Sequence, residues 1–142
     1  MSLSFTFLST DYPKGYEIGD DGYYYKLYAK KKNWADAQDV CKKDGANLPI
    51  IWDKKTNNVV RSKSGGDFDV WIGASDQWKE GTWETPLRNP ITFKQWSHGQ
   101  PNNGMGIEDC AIQIKSSNWF DDNCKKKKRF LCQWKSGKTV RV

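Results

Sequence analysis

Cys110, Ile112 and Ile114 alternate with their neighbours along the chain, and Phe130, Cys132 and Trp134 repeat the pattern further on. A period of two puts each trio on one face of a β-strand, so both segments are predicted as strands with one side toward a core. The run Gly22-Tyr-Tyr-Tyr-Lys-Leu-Tyr reads as an earlier strand by its aromatic content, and Asp69-Val-Trp-Ile-Gly as a buried one. Between these two the spacing becomes helical. Trp34, Ala37, Val40 and Cys41 share one side of a segment that Asn33 can cap, running through Lys43 with Gly45 just past its end. Leu48-Pro-Ile-Ile is a short extended piece. Asp53 then opens a weaker second helix around Asn57 to Arg61, closed by Gly65-Gly66.

From Gly73 to about Glu108 neither period persists: short apolar pairs are separated by Gly, Pro, Asn and charged residues. Loops of this length inside a domain are uncommon and tend to carry function. Trp78, Trp83, Phe93 and Trp96 within it argue for an ordered loop, because disordered segments are poor in aromatics. Trp71, Trp83, Trp96 and Trp119 are expected in the core. Trp78, between Asp76 and Glu80, is left open between core and surface. Two helices, late strands and a long polar loop define an α+β fold, and the 142 residues read as a single domain, 1–142, with its core at about 22–134.

Composition narrows the chemistry. Four cysteines, Cys41, Cys110, Cys124 and Cys132, with no CxxC pair and a single histidine, favour two disulfides over a zinc site, with three pairings open. Disulfides imply an oxidising compartment, hence an extracellular location, secreted or as an ectodomain. The first residues lack a basic n-region, so either a secretory signal has been removed or replaced, or the chain is not secreted by that route. No apolar run approaches bilayer length, and membrane insertion is not expected. The net charge of +6 comes partly from clusters such as Lys30-Lys31-Lys32 and Lys125-Lys126-Lys127-Lys128-Arg129. These read either as solvated faces or as an attractor for a sulfated polysaccharide, and no nucleic-acid motif accompanies them. His98 alone cannot supply a hydrolytic triad, no GxSxG elbow is present, and adjacent Glu108 and Asp109 point to opposite faces, so the chain is not expected to be an enzyme.

The stretch His98-Gly-Gln-Pro-Asn-Asn-Gly-Met-Gly-Ile-Glu-Asp-Cys is polar enough that it serves either as idle surface or as a holder of something polar. With Trp34 to Cys41, Trp71-Ile-Gly-Ala, Glu80-Gly-Thr-Trp, Gln100-Pro-Asn, Glu108-Asp-Cys, Trp119-Phe-Asp-Asp-Asn-Cys and Arg129-Phe-Leu-Cys in this order, the chain resembles the C-type lectin-like domain family. The match is to the short form, with a long loop closest to mannose-type receptors. The resemblance implies two helices flanking small antiparallel sheets, a long calcium-binding loop region, and disulfides Cys41–Cys132 and Cys110–Cys124. The amino-terminal disulfide of longer members has no counterpart, since Tyr12 and Tyr16 stand where Cys would be sought.

The resemblance also implies a cis bond before Pro101 and a primary Ca²⁺ site formed by Gln100, Asn102, Glu108 and Asp121, with a sugar's vicinal hydroxyls completing the shell. A second, auxiliary Ca²⁺ site would take Asp76, Glu80, Asn103 and Asp109 with Glu108 shared. Two departures matter. Gln100-Pro101-Asn102 is a hybrid of the mannose-type Glu-Pro-Asn and galactose-type Gln-Pro-Asp, and Phe120 stands where an Asn ligand is usual. The primary site therefore carries two negative side chains, Glu108 and Asp121, rather than the three of the mannose pattern, and its calcium affinity is expected to be weak. Phe120 is expected instead to offer its ring to a sugar. The function implied is a calcium-dependent carbohydrate-binding lectin for glycans on cell or microbial surfaces, of mannose/fucose or galactose class, with homo-oligomerisation raising a low monovalent affinity. The alternative is a lectin-like domain with a decayed primary site that binds proteins or, through Lys125 to Arg129, sulfated polysaccharide.

Overall fold

Asn33 and Asp53 start the two helices as their side chains predict. Asn33 Oδ1 accepts the Asp36 N–H at 2.8 Å, and Asp53 Oδ1 accepts the Thr56 N–H at 2.8 Å. The first helix, α1, runs Trp34–Lys43, and the second, α2, runs Lys54–Lys63. Gly45, at φ +74°, ends α1 in the left-handed region. There the Ala46 N–H returns to Cys41 O and the Gly45 N–H to Lys42 O, satisfying the last carbonyls. The computed structural model describes residues 6–8, 12–136 and 139–141.

The strands are β1 (Thr6–Leu8), β2 (Glu17–Ile18), β3 (Tyr24–Lys32), β4 (Val70–Ser75), β5 (Glu108–Gln113), β6 (Trp119–Asn123), β7 (Lys128–Trp134) and β8 (Thr139–Arg141). β1 pairs with β8, and the other six form one sheet in the order β2-β3-β7-β4-β5-β6. The expected antiparallel arrangement holds except at its centre. β4 lies parallel to β7, with Val70 opposite Arg129 and Trp71 opposite Phe130, so the sheet is mixed. Alternation could not reveal this, because it fixes which face a residue takes and not the direction of its neighbour. β3 also runs four residues past the predicted Tyr28, through the lysine run to Lys32.

Alternation along these strands divides the core in two. Cys110, Ile112, Phe130 and Cys132 join Trp34, Ala37 and Cys41 of α1 on one side. Ala111, Leu131, Ile72 and Trp119 join Val59 and Val60 of α2 on the other. The disulfides are Cys41–Cys132, tying α1 to β7, and Cys110–Cys124, closing the base of the β5–β6 region.

At the α1 terminus the Tyr16 and Tyr28 hydroxyls both donate to Asp44 Oδ2, at 2.8 and 2.6 Å. Burial, then the bond to the Asp44 carboxylate, pushes the Tyr28 phenol from 10.0 up to about 12. The Tyr16 phenol rises for the same reasons in the same order. A raised folded value favours the neutral phenol, so this contribution is complete below the ordinary tyrosine range and is lost as pH climbs through the folded value. The unfolding midpoint is therefore expected to fall between about pH 10 and pH 12, and to fall less in Tyr28→Phe, as followed by tryptophan fluorescence.

Candidate metal and ligand site

The loop between β4 and β5 is held by aromatic rings. Trp83 meets Trp96 at 4.7 Å, Trp96 meets Trp119 at 5.6 Å, and Phe93 meets Trp119 at 6.0 Å, all edge to face. The Trp119 N–H donates to Gln95 O at 2.8 Å and its carbonyl accepts the Ser97 N–H at 2.9 Å. This fastens the far arm of the loop along β6. Trp71, Trp83 and Trp119 are buried as expected, whereas Trp96 is half-buried. Trp78 is 40 % exposed, with Arg88 over its ring face at 4.1 Å.

Past Ser97 the chain turns through Gly99 into a cis Gln100–Pro101 bond. The two N–H groups that follow, of Asn102 and Asn103, donate to Asp121 Oδ1 and Oδ2 at 3.0 and 2.7 Å. Glu108 Oε1 accepts the Gly104 N–H at 2.8 Å. A Cβ at position 104 would stand 2.6 Å from Glu108 Oε1, so any side chain there would displace the Glu108 carboxylate. Asn102 Oδ1 also accepts from the Gly104 N–H, and Asn103 Oδ1 from the Glu108 N–H. Asn102, Glu108 and Asp121 are thus brought into one hydrogen-bonded turn although β6 lies well beyond the loop in sequence, and Gln100 precedes it across the cis bond with its Oε1 unpartnered.

The acidic group forms at the other side of the β5 start. Asp109 O accepts the Asp76 N–H at 3.0 Å and the Ser75 hydroxyl at 2.7 Å, which sets Asp76 beside Asp109. The Gly81 N–H donates back to Asp76 Oδ2 at 2.9 Å, closing a turn that carries Glu80. One carboxylate oxygen from each of Asp76, Glu80 and Asp109 lies within 4.8 Å of the other two. Burial, followed by the crowding of Glu80 and Asp109, pushes the Asp76 carboxyl up to about 7. Asp109 is raised as well, by burial first and then by Glu80. Carboxylates packed this way repel one another unless a proton or a cation intervenes.

Of the four carboxylates expected at the auxiliary site, Asp76, Glu80 and Asp109 converge, whereas Glu108 Oε1 accepts the Gly104 N–H; Asn103 Oδ1 accepts the Glu108 N–H at 3.2 Å. Phe120 is not brought to the site. Strand alternation puts it on the face opposite Asp121, where it packs against the cluster of Trp34 and Phe130, so the sugar-facing ring expected of it has no basis in the structure. His98 is exposed beside the turn. Sequence reasoning missed Lys94, which with Trp83, Trp96, Pro101, Asn103 and Asp121 lines a cleft of about 370 Å³ next to the turn. A single lysine in an irregular loop carries no pattern that could have marked it. Met105, 94 % exposed at φ +56°, was missed too, although a large apolar residue between two glycines was a usable signal.

A family model described as Lectin C-type domain matches residues 30–134. The chain is 36 % identical over 120 residues to the C-type lectin lectoxin-Lio3 of Erythrolamprus poecilogyrus, covering 79 % of this chain and 74 % of that protein. It is 35 % identical over 113 residues to the CD209 antigen of Homo sapiens, covering 77 % of this chain but only 28 % of that longer protein. Among solved structures, the carbohydrate-recognition domain of the mouse scavenger receptor C-type lectin superposes with a TM-score of 0.80 at 26 % identity, over 89 % of this chain and 98 % of that one.

Proposed function

We propose that this chain, which belongs to the C-type lectin domain family, is a calcium-dependent carbohydrate-binding lectin that takes vicinal sugar hydroxyls at its Gln100–Asp121 turn. One observation carries the reading. Among the described residues, the buried side-chain polar atoms without a hydrogen-bond partner are Asp76 Oδ1, Gln100 Oε1 and Asp109 Oδ1. All three are acceptors, all three lie in the two expected metal sites, and a buried acceptor left unpaired costs about 1–3 kcal/mol. An oxygen-seeking cation removes that cost, and the donor set of carboxylates and amides suits Ca²⁺ rather than a softer metal.

Asp76, Glu80 and Asp109 would hold the auxiliary ion, and Gln100, Asn102, Glu108 and Asp121 the primary one. Calcium at the primary site supplies open coordination positions that two neighbouring hydroxyls of a sugar can fill. The chain's own residues set the geometry. Asp121 is immobilised by two backbone N–H groups, Glu108 by one, and the exposed Asn102 retains amide donors for a sugar oxygen. Gln100 and Asn102 are both amides, so each can donate or accept, and the hydrogen-bond polarity that separates mannose-type from galactose-type recognition is not imposed. The two disulfides support an oxidising setting, and the domain is read as a secreted protein or an ectodomain facing glycans on cell or microbial surfaces.

Retention on immobilised mannose or galactose in millimolar calcium, with release by EDTA, is the expected result. Retention that survives EDTA, or that is unchanged in Asn102→Ala, overturns it. A further outcome follows from the charge count. Gln100→Glu adds a third negative ligand and is expected to tighten calcium by on the order of tenfold, with sugar binding shifted toward mannose. Calorimetric titration of calcium into both proteins checks this.

A further inference from the structure

Two lysine runs that stand far apart in sequence meet in the sheet. β3 and β7 pair with Lys32 opposite Lys128, and this brings Lys31 of the first run to Lys127, Lys128 and Arg129 of the second around one groove. Lys126 and Lys128 are partly neutralised by Asp122, at 3.0 and 2.8 Å. Lys30, Lys31, Lys125 and Lys127 are exposed, and among the described residues none of them forms an ion pair. Lys31, Lys127, Lys128 and Arg129 line a groove of about 350 Å³ that also contains Asp67, Phe68 and Asp69. It shares no residue with either expected calcium site.

From this convergence we infer that the β3–β7 surface is a second, calcium-independent binding site for a linear sulfated polysaccharide. The occupant follows from what surrounds the cations. Both disulfides are formed, and in an oxidising, extracellular setting the abundant polyanions are sulfated glycans. Single-stranded nucleic acid is held by aromatic platforms for its bases as well as by cations. Phe68 is half-buried with Arg129 over its ring at 4.3 Å, and Trp71 is buried, so the groove offers none. A lipid surface is held more firmly where exposed apolar side chains accompany the cations, and the two lysine runs contribute none. Lysine predominates, and its compact ammonium suits single sulfate esters as a point charge, without the bidentate geometry that arginine supplies. The flanking Asp67 and Asp69 confine a bound chain to the lysine side of the groove, since a sulfate beside them is repelled.

The test uses the folded domain in EDTA, so that a failure of calcium-dependent sugar binding and a failure of this site are read separately. Wild type is expected to bind heparin, with affinity falling as NaCl rises. Lys30→Ala/Lys31→Ala/Lys127→Ala should weaken binding by about tenfold or more and lower the log–log salt slope by ~2, at about 0.7 per anion contact as for a flexible polyanion. Its melting curve and its calcium-dependent retention on sugar should stay those of wild type. Lys42→Ala/Lys43→Ala/Lys55→Ala removes the same charge elsewhere and should leave heparin binding near wild type. The single reversal Lys127→Glu should weaken it as well. The site is overturned by absence of heparin binding in wild type, or by equal weakening in both triple variants. Tighter binding of duplex DNA or of phosphatidylserine vesicles than of heparin at the same salt would overturn the assignment of the occupant.

Discussion

Asn57→Ala is expected to lower the unfolding free energy by about 3–5 kcal/mol, since several buried groups lose their partner at once. Asn57 is 1 % exposed on α2, a helix otherwise poor in apolar residues. Its Oδ1 accepts from Trp119 Nε1 at 2.8 Å and from Gln113 Nε2 at 2.9 Å, while its Nδ2 donates to Ser117 O at 2.9 Å. Alanine leaves the buried Trp119 indole N–H and one N–H of the Gln113 amide without a partner, although Gln113 Nε2 keeps its bond to Asn57 O at 2.8 Å, and it frees the part-buried Ser117 carbonyl. The better helix propensity of alanine offsets only about 0.6 kcal/mol of that. The damage should reach the ligand turn. Trp119 holds Ser97 by its carbonyl, and Ser97 O in turn accepts the Gln100 N–H at 2.9 Å. Urea unfolding and sugar-column retention measure the two consequences, and a loss under about 1 kcal/mol would show that water replaces Asn57 without cost.

The second large effect is the response to calcium, and it depends on Asp76. For an ion that binds only the folded loop, stabilisation is about 1.4 kcal/mol at ten times Kd and about 2.7 kcal/mol at a hundred times Kd. For a domain of this size that is a rise of roughly 3–5 °C in Tm per kcal/mol. Asp76→Asn should abolish most of the rise. It should also increase the Tm of the calcium-free protein, because it removes one of three crowded carboxylates whose buried oxygen has no donor. Scanning calorimetry of both proteins, with calcium and with EDTA, gives four midpoints. A wild-type midpoint that ignores millimolar calcium, or an Asp76→Asn protein less stable than wild type in EDTA, would rule out a cation-holding role for the cluster.

Much of this architecture was legible in residue order. Asn33 and Asp53 cap the helices as their short polar side chains require, and Gly45 ends α1 because left-handed backbone suits glycine. The trios at Cys110 and Phe130 lie on one face because a strand repeats every two residues. The parallel β4–β7 pair was not legible, since direction belongs to the pairing and not to either strand. Phe120 shows the same limit at the site. Its place in the motif suggested a ring offered to a sugar, while the alternation that carries Asp121 inward carries Phe120 to the other face. Lys94 and Asn57 had no local mark, because an isolated polar residue looks alike in sequence whether it meets water or a buried partner.

By itself, then, the order of residues determined the two helices, the main strands, the presence of an ordered polar loop and its store of oxygen ligands. Capping, periodicity and the residue types in a segment act over a few positions, so they survive in a linear reading. Only the tertiary structure decided that Asp76, Glu80 and Asp109 crowd together while Glu108 turns to Gly104, and that two distant lysine runs share one surface. Burial, an unfilled lone pair and an unpaired charge are properties of what meets across the fold, and each is settled by strand pairing and packing rather than by any residue alone.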